Sequence, residues 1–329
     1  MVRLITNRHD GLVSSDLHLI DPDGNLAAQA EVMDHACSTS GFFRIPAACV
    51  DQTSADEAWD TATEFFALPA DRKAAVAFPR PGYPYGYSPF QFETLSASVG
   101  ATSAPDLKES FSAGPDCSGS VDVDPNSAEA WIRSPSLWPS DLPTMQAAWS
   151  AHYRSMSTAS ARLLNIMASA LELPDGYFEP MIDHHTSAMR AINYPAVELA
   201  STTSSLRAGS HTDYGTLTIL RTDGVPGLEI QNLDGSWLAL DAVPDTYVVN
   251  LGDSIARWTN ERWRSTMHRV TNADPRARQS MAFFHTANWD ATIECLPSCL
   301  SDDGPLYEPT LAGPWLMSKF QSTVAEPSS

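Results

Sequence analysis

Between residues 207 and 220 the chain reads Arg-Ala-Gly-Ser-His-Thr-Asp-Tyr-Gly-Thr-Leu-Thr-Ile-Leu, which sets the imidazole of His211 and the carboxylate of Asp213 two positions apart at the mouth of an apolar strand. Side chains alternate along a strand, so the spacing puts both groups on one face. Two ligands underbind a metal, and His268, in Trp263-Arg-Ser-Thr-Met-His268-Arg-Val, supplies a third. Two neutral imidazoles and one carboxylate leave three coordination positions open, which suits an Fe(II) that binds a chelating cosubstrate and O2 together. Zinc accepts the same ligands, but a catalytic zinc site wants one open position and a nearby general base, and the stretch lacks a His-Glu-x-x-His arrangement. Ten residues beyond His268, Arg278-Gln-Ser280 opens the apolar run Met281-Ala-Phe-Phe284. Arg278 and Ser280 share a face by the same alternation, and a guanidinium fork with a hydroxyl is a good receptor for a carboxylate.

The elements that must position these groups are legible from caps, breakers and periodicity. Asp21-Pro-Asp-Gly24 is a turn, followed by a helix through Leu26, Ala30, Met33, Ala36 and Cys37 that ends at Ser40-Gly41 before a short strand at 42–45. A second helix starts near Thr53-Ser54 and stops at Leu68-Pro69. Residues 78–87, dense in Pro, Gly and Tyr, read as an ordered aromatic loop able to wall a pocket, and 106–114 as a strand leading into a loop. The strongest helical stripe runs from Met145 to Leu171 and is core packing against the outside of a sheet; a shorter helix is expected around 176–181. His184 and His185 are adjacent and point in different directions on any regular element, so a surface or supporting role outweighs a ligand role. From Ser187 to about Pro297 short strands and turns alternate, including a hairpin turn at 232–236 and a strand running on to Asp253, the pattern of a sandwich or barrel.

Length and composition fit one enlarged domain. With 329 residues, 43% of them apolar, and nine Trp, the chain can bury a large core, and no apolar run reaches the roughly 18 residues of a membrane span. A formal charge of −20 repels polyanions, so neither nucleic acid nor an anionic membrane is an expected partner. Five scattered cysteines (37, 49, 117, 295 and 299) and a start with no apolar leader point to reduced thiols and a cytoplasmic protein.

The ordered set of His-x-Asp, a distant His and Arg-x-Ser on the following strand resembles the isopenicillin N synthase-like family of non-haem Fe(II)/2-oxoglutarate-dependent dioxygenases. Gly41-Phe-Phe, Phe65-Phe-Ala-Leu-Pro69 and Asp106-Leu-Lys-Glu-Ser-Phe111 extend the likeness, which covers about 41 to 320. The resemblance implies a mainly β fold with flanking helices around a double-stranded β-helix, the jelly-roll of cupin-like proteins. It divides one compact domain into an N-terminal helical and β region (1–115), a polar loop (116–140), bracing helices (141–186), the metal-bearing core (187–297) and a C-terminal lid (298–329). It implies Fe(II), 2-oxoglutarate and O2 as cofactors, with His211, Asp213 and His268 as ligands. It further implies that Arg278, Ser280 and Tyr194 hold the C5 carboxylate of 2-oxoglutarate, although Ile192 stands where the family often has Asn. Asp213 disfavours halogenation, because relatives that halogenate replace this carboxylate with a small residue.

The activity implied is hydroxylation or desaturation of a small molecule, as in secondary metabolism, with release of succinate and CO2. Phe284 falls where the family often stacks a ring on substrate, and is equally suited to the barrel core. Arg190, four residues before Tyr194, could meet an acidic substrate or form a salt bridge. Two alternatives stay open: an oxidase of the same fold that uses no 2-oxoglutarate, and a metal-binding jelly-roll without turnover.

Overall fold

Asn25 accepts a hydrogen bond from the Ala28 N–H and so opens α1 (Leu26–Thr39), whose stripe of Ala30, Met33, Ala36 and Cys37 is buried. The computed structural model describes residues 17–80, 82–96, 100, 104–115, 123–124, 126–196 and 206–323. Gly41, at φ +69°, turns the chain into β1 (Phe42–Pro46). Asp51 caps α2 (Gln52–Ala67) two residues ahead of Thr53, because its carboxylate takes the Ser54 N–H at 3.1 Å. A short α3 (Ala70–Ala74) follows.

The Pro, Gly and Tyr stretch is not loop throughout. Its end forms β2 (Gly86–Ser88), paired antiparallel with β3 (Glu109–Ala113), and the Tyr87 hydroxyl donates to the Glu109 carboxylate. Within the connection that reads as a polar loop, Ser127 caps α4 (Ala128–Ile132), while 116–122 and 125 lie outside the described residues. The long α5 (Met145–Ala170) follows its sequence stripe closely. The helix expected at 176–181 is only a single 3-10 turn, Glu179–Met181, in which Pro180 has no N–H to extend the ladder. The β-rich half then runs β4 (Ala188–Tyr194), β5 (Ala208–His211), β6 (Leu217–Thr222), β7 (Leu228–Gln231), β8 (Trp237–Ala239) and β9 (Thr246–Leu251). After it come α6 (Asp253–Trp258), β10 (His268–Val270), β11 (Arg278–His285), β12 (Thr292–Ile293), β13 (Thr310–Leu311) and α7 (Ala312–Thr323).

The strands form a seven-stranded sheet, β1-β9-β6-β11-β4-β3-β2, and a four-stranded sheet, β5-β10-β7-β8, which face each other as a double-stranded β-helix. Register decides what each face does. Cross-strand partners share a face, and the row Phe43, Val249, Ile219, Phe283, Met189 lies on the side packed against α2 and α5. The adjacent row, Phe42, Asn250, Thr218, Phe284, Ala188, therefore faces the small sheet. So do Tyr194, Ile192, Leu220 and Val248, which pack on Ala208, Leu228, Ile230 and Val270 of the opposing strands. Among the described residues, no helix is long and apolar enough to cross a membrane.

One contact fixes the loop between β5 and β6. The strand expected to reach Asp253 ends at Leu251, and α6 begins there because its free N-terminal N–H groups find acceptors in that loop. Gly252 N donates to the Thr216 carbonyl, Asp253 N to Asp213 and Ser254 N to Gly215, all within 2.8–3.1 Å. The backbones approach so closely that a Cβ on Gly252 would lie 2.3 Å from the Gly215 oxygen. Gly252→Ala is therefore expected to cost about 1–3 kcal/mol of stability, read as a lowered melting temperature, through displacement of main chain that cannot yield like a side chain.

Candidate active site

His211 is the last residue of β5 and His268 the first of β10, and the two stand directly opposite each other in the ladder. Their ring centroids lie 4.3 Å apart. Each Nδ1 faces a main-chain carbonyl, His211 that of Gly209 at 2.7 Å and His268 that of Thr266 at 3.1 Å. A carbonyl accepts only, so both Nδ1 atoms carry the proton and both Nε2 lone pairs are free to bind a metal. Burial first, and then the neighbouring His268, drive the His211 pKa far below its usual value, which keeps the imidazole neutral.

Asp213 reaches the same point by a route different from the one its spacing suggests. It lies beyond the end of β5, in the loop tied to α6, so strand alternation does not set its direction. Its Oδ1 is 3.9 Å from His211 Nε2 and 3.8 Å from His268 Nε2. Oδ2 accepts from Thr218 Oγ1 at 2.6 Å and Asn250 Nδ2 at 2.7 Å, donors that face each other across β6 and β9. Burial pushes this carboxyl's pKa up, but the two imidazoles and the two hydrogen bonds outweigh it, and the net shift is downward. The result is one ionised oxygen and two imidazole lone pairs converging within 4.8 Å, a donor set that fits a divalent transition metal. Sequence reasoning missed Thr218 and Asn250, whose role depends on strand register and leaves no spacing signal.

The residues expected to hold a carboxylate also meet on the inner face. Arg278 opens β11 opposite Tyr194, the last residue of β4, with its guanidinium carbon 5.0 Å from the tyrosine ring. Ser280 lies one alternation further on the same face, opposite Ile192 and Thr222. All three are buried. Arg278 Nε donates to the Val225 carbonyl at 3.3 Å, but Nη1 is buried with no partner, so an acceptor is wanting there.

Phe284 pairs with Thr218 and so stands beside the carboxylate's support. Arg190 faces inward too, yet its guanidinium already meets Glu93 at 3.2 Å and Ser112 Oγ at 2.8 Å, the salt bridge that its sequence context allowed. Lys108 Nζ holds the same Glu93 at 2.9 Å. Burial opposes ionisation of Glu93, but the two cations prevail and bring its pKa down to about 2. His184 is exposed and pairs with Asp183 and Asp290, and His185 stacks on Tyr153 at the α5 side of the large sheet, so neither approaches the triad. The C-terminal helix α7 lies against the loop of Asp213: Lys319 Nζ is 2.7 Å from Asp253, and the ring of Phe320 meets that of Tyr214 at 5.8 Å.

Comparison with known proteins agrees with this geometry. Residues 185–287 match the 2OG-Fe(II) oxygenase superfamily, and residues 14–141 match the N-terminal region described for the non-haem dioxygenase in morphine synthesis. A 2-oxoglutarate-Fe(II) type oxidoreductase of Emericella nidulans is 30% identical over 86% of this chain and 82% of its own length. A proline hydroxylase of Petromyces alliaceus is 33% identical over 86% and 88%. The crystal structure of a full-length Neurospora crassa protein in complex with alpha-KG superposes with a TM-score of 0.82 at 26% identity, covering 95% of this chain and 98% of that one. The chain belongs to the 2OG-Fe(II) oxygenase superfamily. It is an Fe(II)- and 2-oxoglutarate-dependent dioxygenase that oxidises a small molecule.

The hydrogen bonds to Oδ2 generate a prediction. Thr218→Val, which keeps shape but removes the donor, and Asn250→Leu are each expected to lower Fe(II) affinity roughly 10- to 100-fold. Anaerobic metal titration checks this, with circular dichroism confirming that the fold is retained.

Proposed function

We propose that His211, Asp213 and His268 are the protein ligands of one Fe(II), and that Arg278, Ser280 and Tyr194 receive the distal carboxylate of 2-oxoglutarate. The observation that carries the second assignment is the unpartnered, fully buried Nη1 of Arg278, on the same inner face as the triad's support. A buried guanidinium nitrogen without an acceptor is costly, and a carboxylate would satisfy both that donor and the charge. When bound, Fe(II) supplies the activation of O2, by which a C–H bond of the substrate is oxidised while 2-oxoglutarate is converted to succinate and CO2. The chain's own task is placement. The carbonyls of Gly209 and Thr266 hold both imidazoles in the ligating tautomer, Thr218 and Asn250 aim one carboxylate oxygen, and the apolar inner faces keep water out.

On the substrate side, Phe284 offers a ring next to Thr218, and Arg190 a cation edge already balanced by Glu93. A wall in which Arg190 and Lys108 meet Glu93 presents donor and acceptor together, which favours a substrate with paired polar groups over a simple anion. The C-terminal segment 298–329, of which 324–329 lie outside the described residues, acts as a lid, a reading supported by the contacts of α7 with Tyr214 and Asp253. A net charge of −20 supports a small molecule as partner in preference to nucleic acid or an anionic membrane, and scattered thiols support a cytoplasmic location.

The anchor can be tested by substitution. Losing one partner of a buried charged pair typically costs about 3–5 kcal/mol, against about 0.5–1.5 kcal/mol for a neutral hydrogen bond. Arg278→Gln should therefore raise the apparent KM for 2-oxoglutarate at least a hundredfold, and Ser280→Ala or Tyr194→Phe only several-fold, with bound iron unchanged in all three. Unaltered dependence on 2-oxoglutarate in Arg278→Gln would overturn the assignment of the anchor.

A further inference from the structure

A second arginine has the same deficit as the anchor. Arg207 immediately precedes β5, where its N–H donates to the Val270 carbonyl at 2.9 Å, and its side chain is 0% exposed. The guanidinium crosses from the small sheet toward the large one, and Nη2 donates to the Arg276 carbonyl at 2.5 Å, two residues before Arg278. Its Nε and Nη1 are buried without a partner, as is Arg278 Nη1. Burial first, and then the charge of Arg278, lower the Arg207 pKa against smaller opposing effects of Tyr194, Asp274 and Asp223, so the two cations act on each other.

No carboxylate among the described residues forms an ion pair with either group. Asp223 is committed to the backbone, its Oδ1 accepting from Val225 N at 3.0 Å and Oδ2 from Gln279 N at 2.6 Å, and Asp274 is paired with Arg276. Two buried guanidinium groups that repel each other, leaving three nitrogens without a partner, make a receptor for an anion that the described residues do not supply. Arg207 was not singled out in the sequence because nothing marks a charged residue beside a strand as buried.

We propose that Arg207 is a second cation of the cosubstrate pocket, sharing with Arg278 the distal carboxylate of 2-oxoglutarate. This rests on the reading that Arg278 receives that carboxylate. Gripped from both sheets, the carboxylate closes the mouth of the β-helix at this end and takes up the donors that each arginine leaves open. Arg278 alone would satisfy one planar fork; two guanidinium groups set at different directions can use lone pairs on both oxygens.

Calorimetry on the Fe(II)-loaded protein without oxygen tests this, with 2-oxoglutarate and pyruvate as probes. Arg207→Met should weaken 2-oxoglutarate at least tenfold and leave pyruvate, which has no distal carboxylate, within about twofold. Arg207→Lys should recover part of the loss. A folded Arg207→Met that binds 2-oxoglutarate as the wild type does would overturn the proposal, as would an equal loss for both probes, which marks a merely structural residue. Arg278→Met in parallel separates the two claims: if it also leaves 2-oxoglutarate binding unchanged, the anchor assignment itself fails. Should Arg207→Met not fold, the wild type still decides. Its guanidinium Nε–H spectrum should show two buried arginine resonances shifting on addition of 2-oxoglutarate, and a shift of only one would overturn the proposal.

Discussion

A carboxylate that lies beyond the end of its strand must be held without help from the pleat, and the metal centre depends on how Asp213 is held. Its two oxygens have separate duties. Oδ2 is fixed by Thr218 and Asn250, which the pairing of β6 with β9 brings face to face, and Oδ1 is thereby aimed at the two imidazoles. The main chain is fixed independently, because the first N–H groups of α6 close onto the carbonyls of the same loop. The large sheet thus aims the carboxylate, the small sheet carries both histidines, and the site exists only where the two sheets meet.

Electrostatics divides the chamber into regions. At the metal site burial favours a neutral His211, while the neighbouring imidazoles and the hydrogen bonds from Asn250 and Thr218 hold Asp213 ionised against the cost of its own burial. Toward the start of β11 lie two buried cations, Arg278 and Arg207, that have no ion-pair partner among the described residues, although the charges of Asp274 and Asp223 reach Arg207. Beside β4 the charge is balanced locally, Arg190 and Lys108 against Glu93 and Asp106. In the proposed arrangement a cosubstrate carrying a distal carboxylate lies at the end of Arg278 and Arg207, and the substrate meets the wall beside β4.

Much of this was legible in the sequence, though not always for the reason first available. Periodicity marked α1 and α5, and alternation marked the faces of β11, because these elements bury one side and their patterns carry the signal. The spacing of His211 and Asp213 pointed to a shared site, but the explanation from strand alternation does not hold, since Asp213 is in a loop. Helix α6 was hidden because Gly252-Asp253 reads as the end of a strand, and the acceptors that make a helix favourable there come from residues far back in the chain. Thr218, Asn250 and Arg207 were silent for a related reason. Each acts through a partner brought close by register or burial, and Arg190 likewise meets Glu93 only in the folded chain.

The central claim is that one Fe(II) is held by His211, Asp213 and His268 alone. Anaerobic titration of Fe(II) into the wild type and into Asp213→Ala tests it most directly. The account predicts one equivalent bound tightly by the wild type and a sharp loss of binding in the folded variant. Full iron occupancy with undiminished affinity in Asp213→Ala would contradict it.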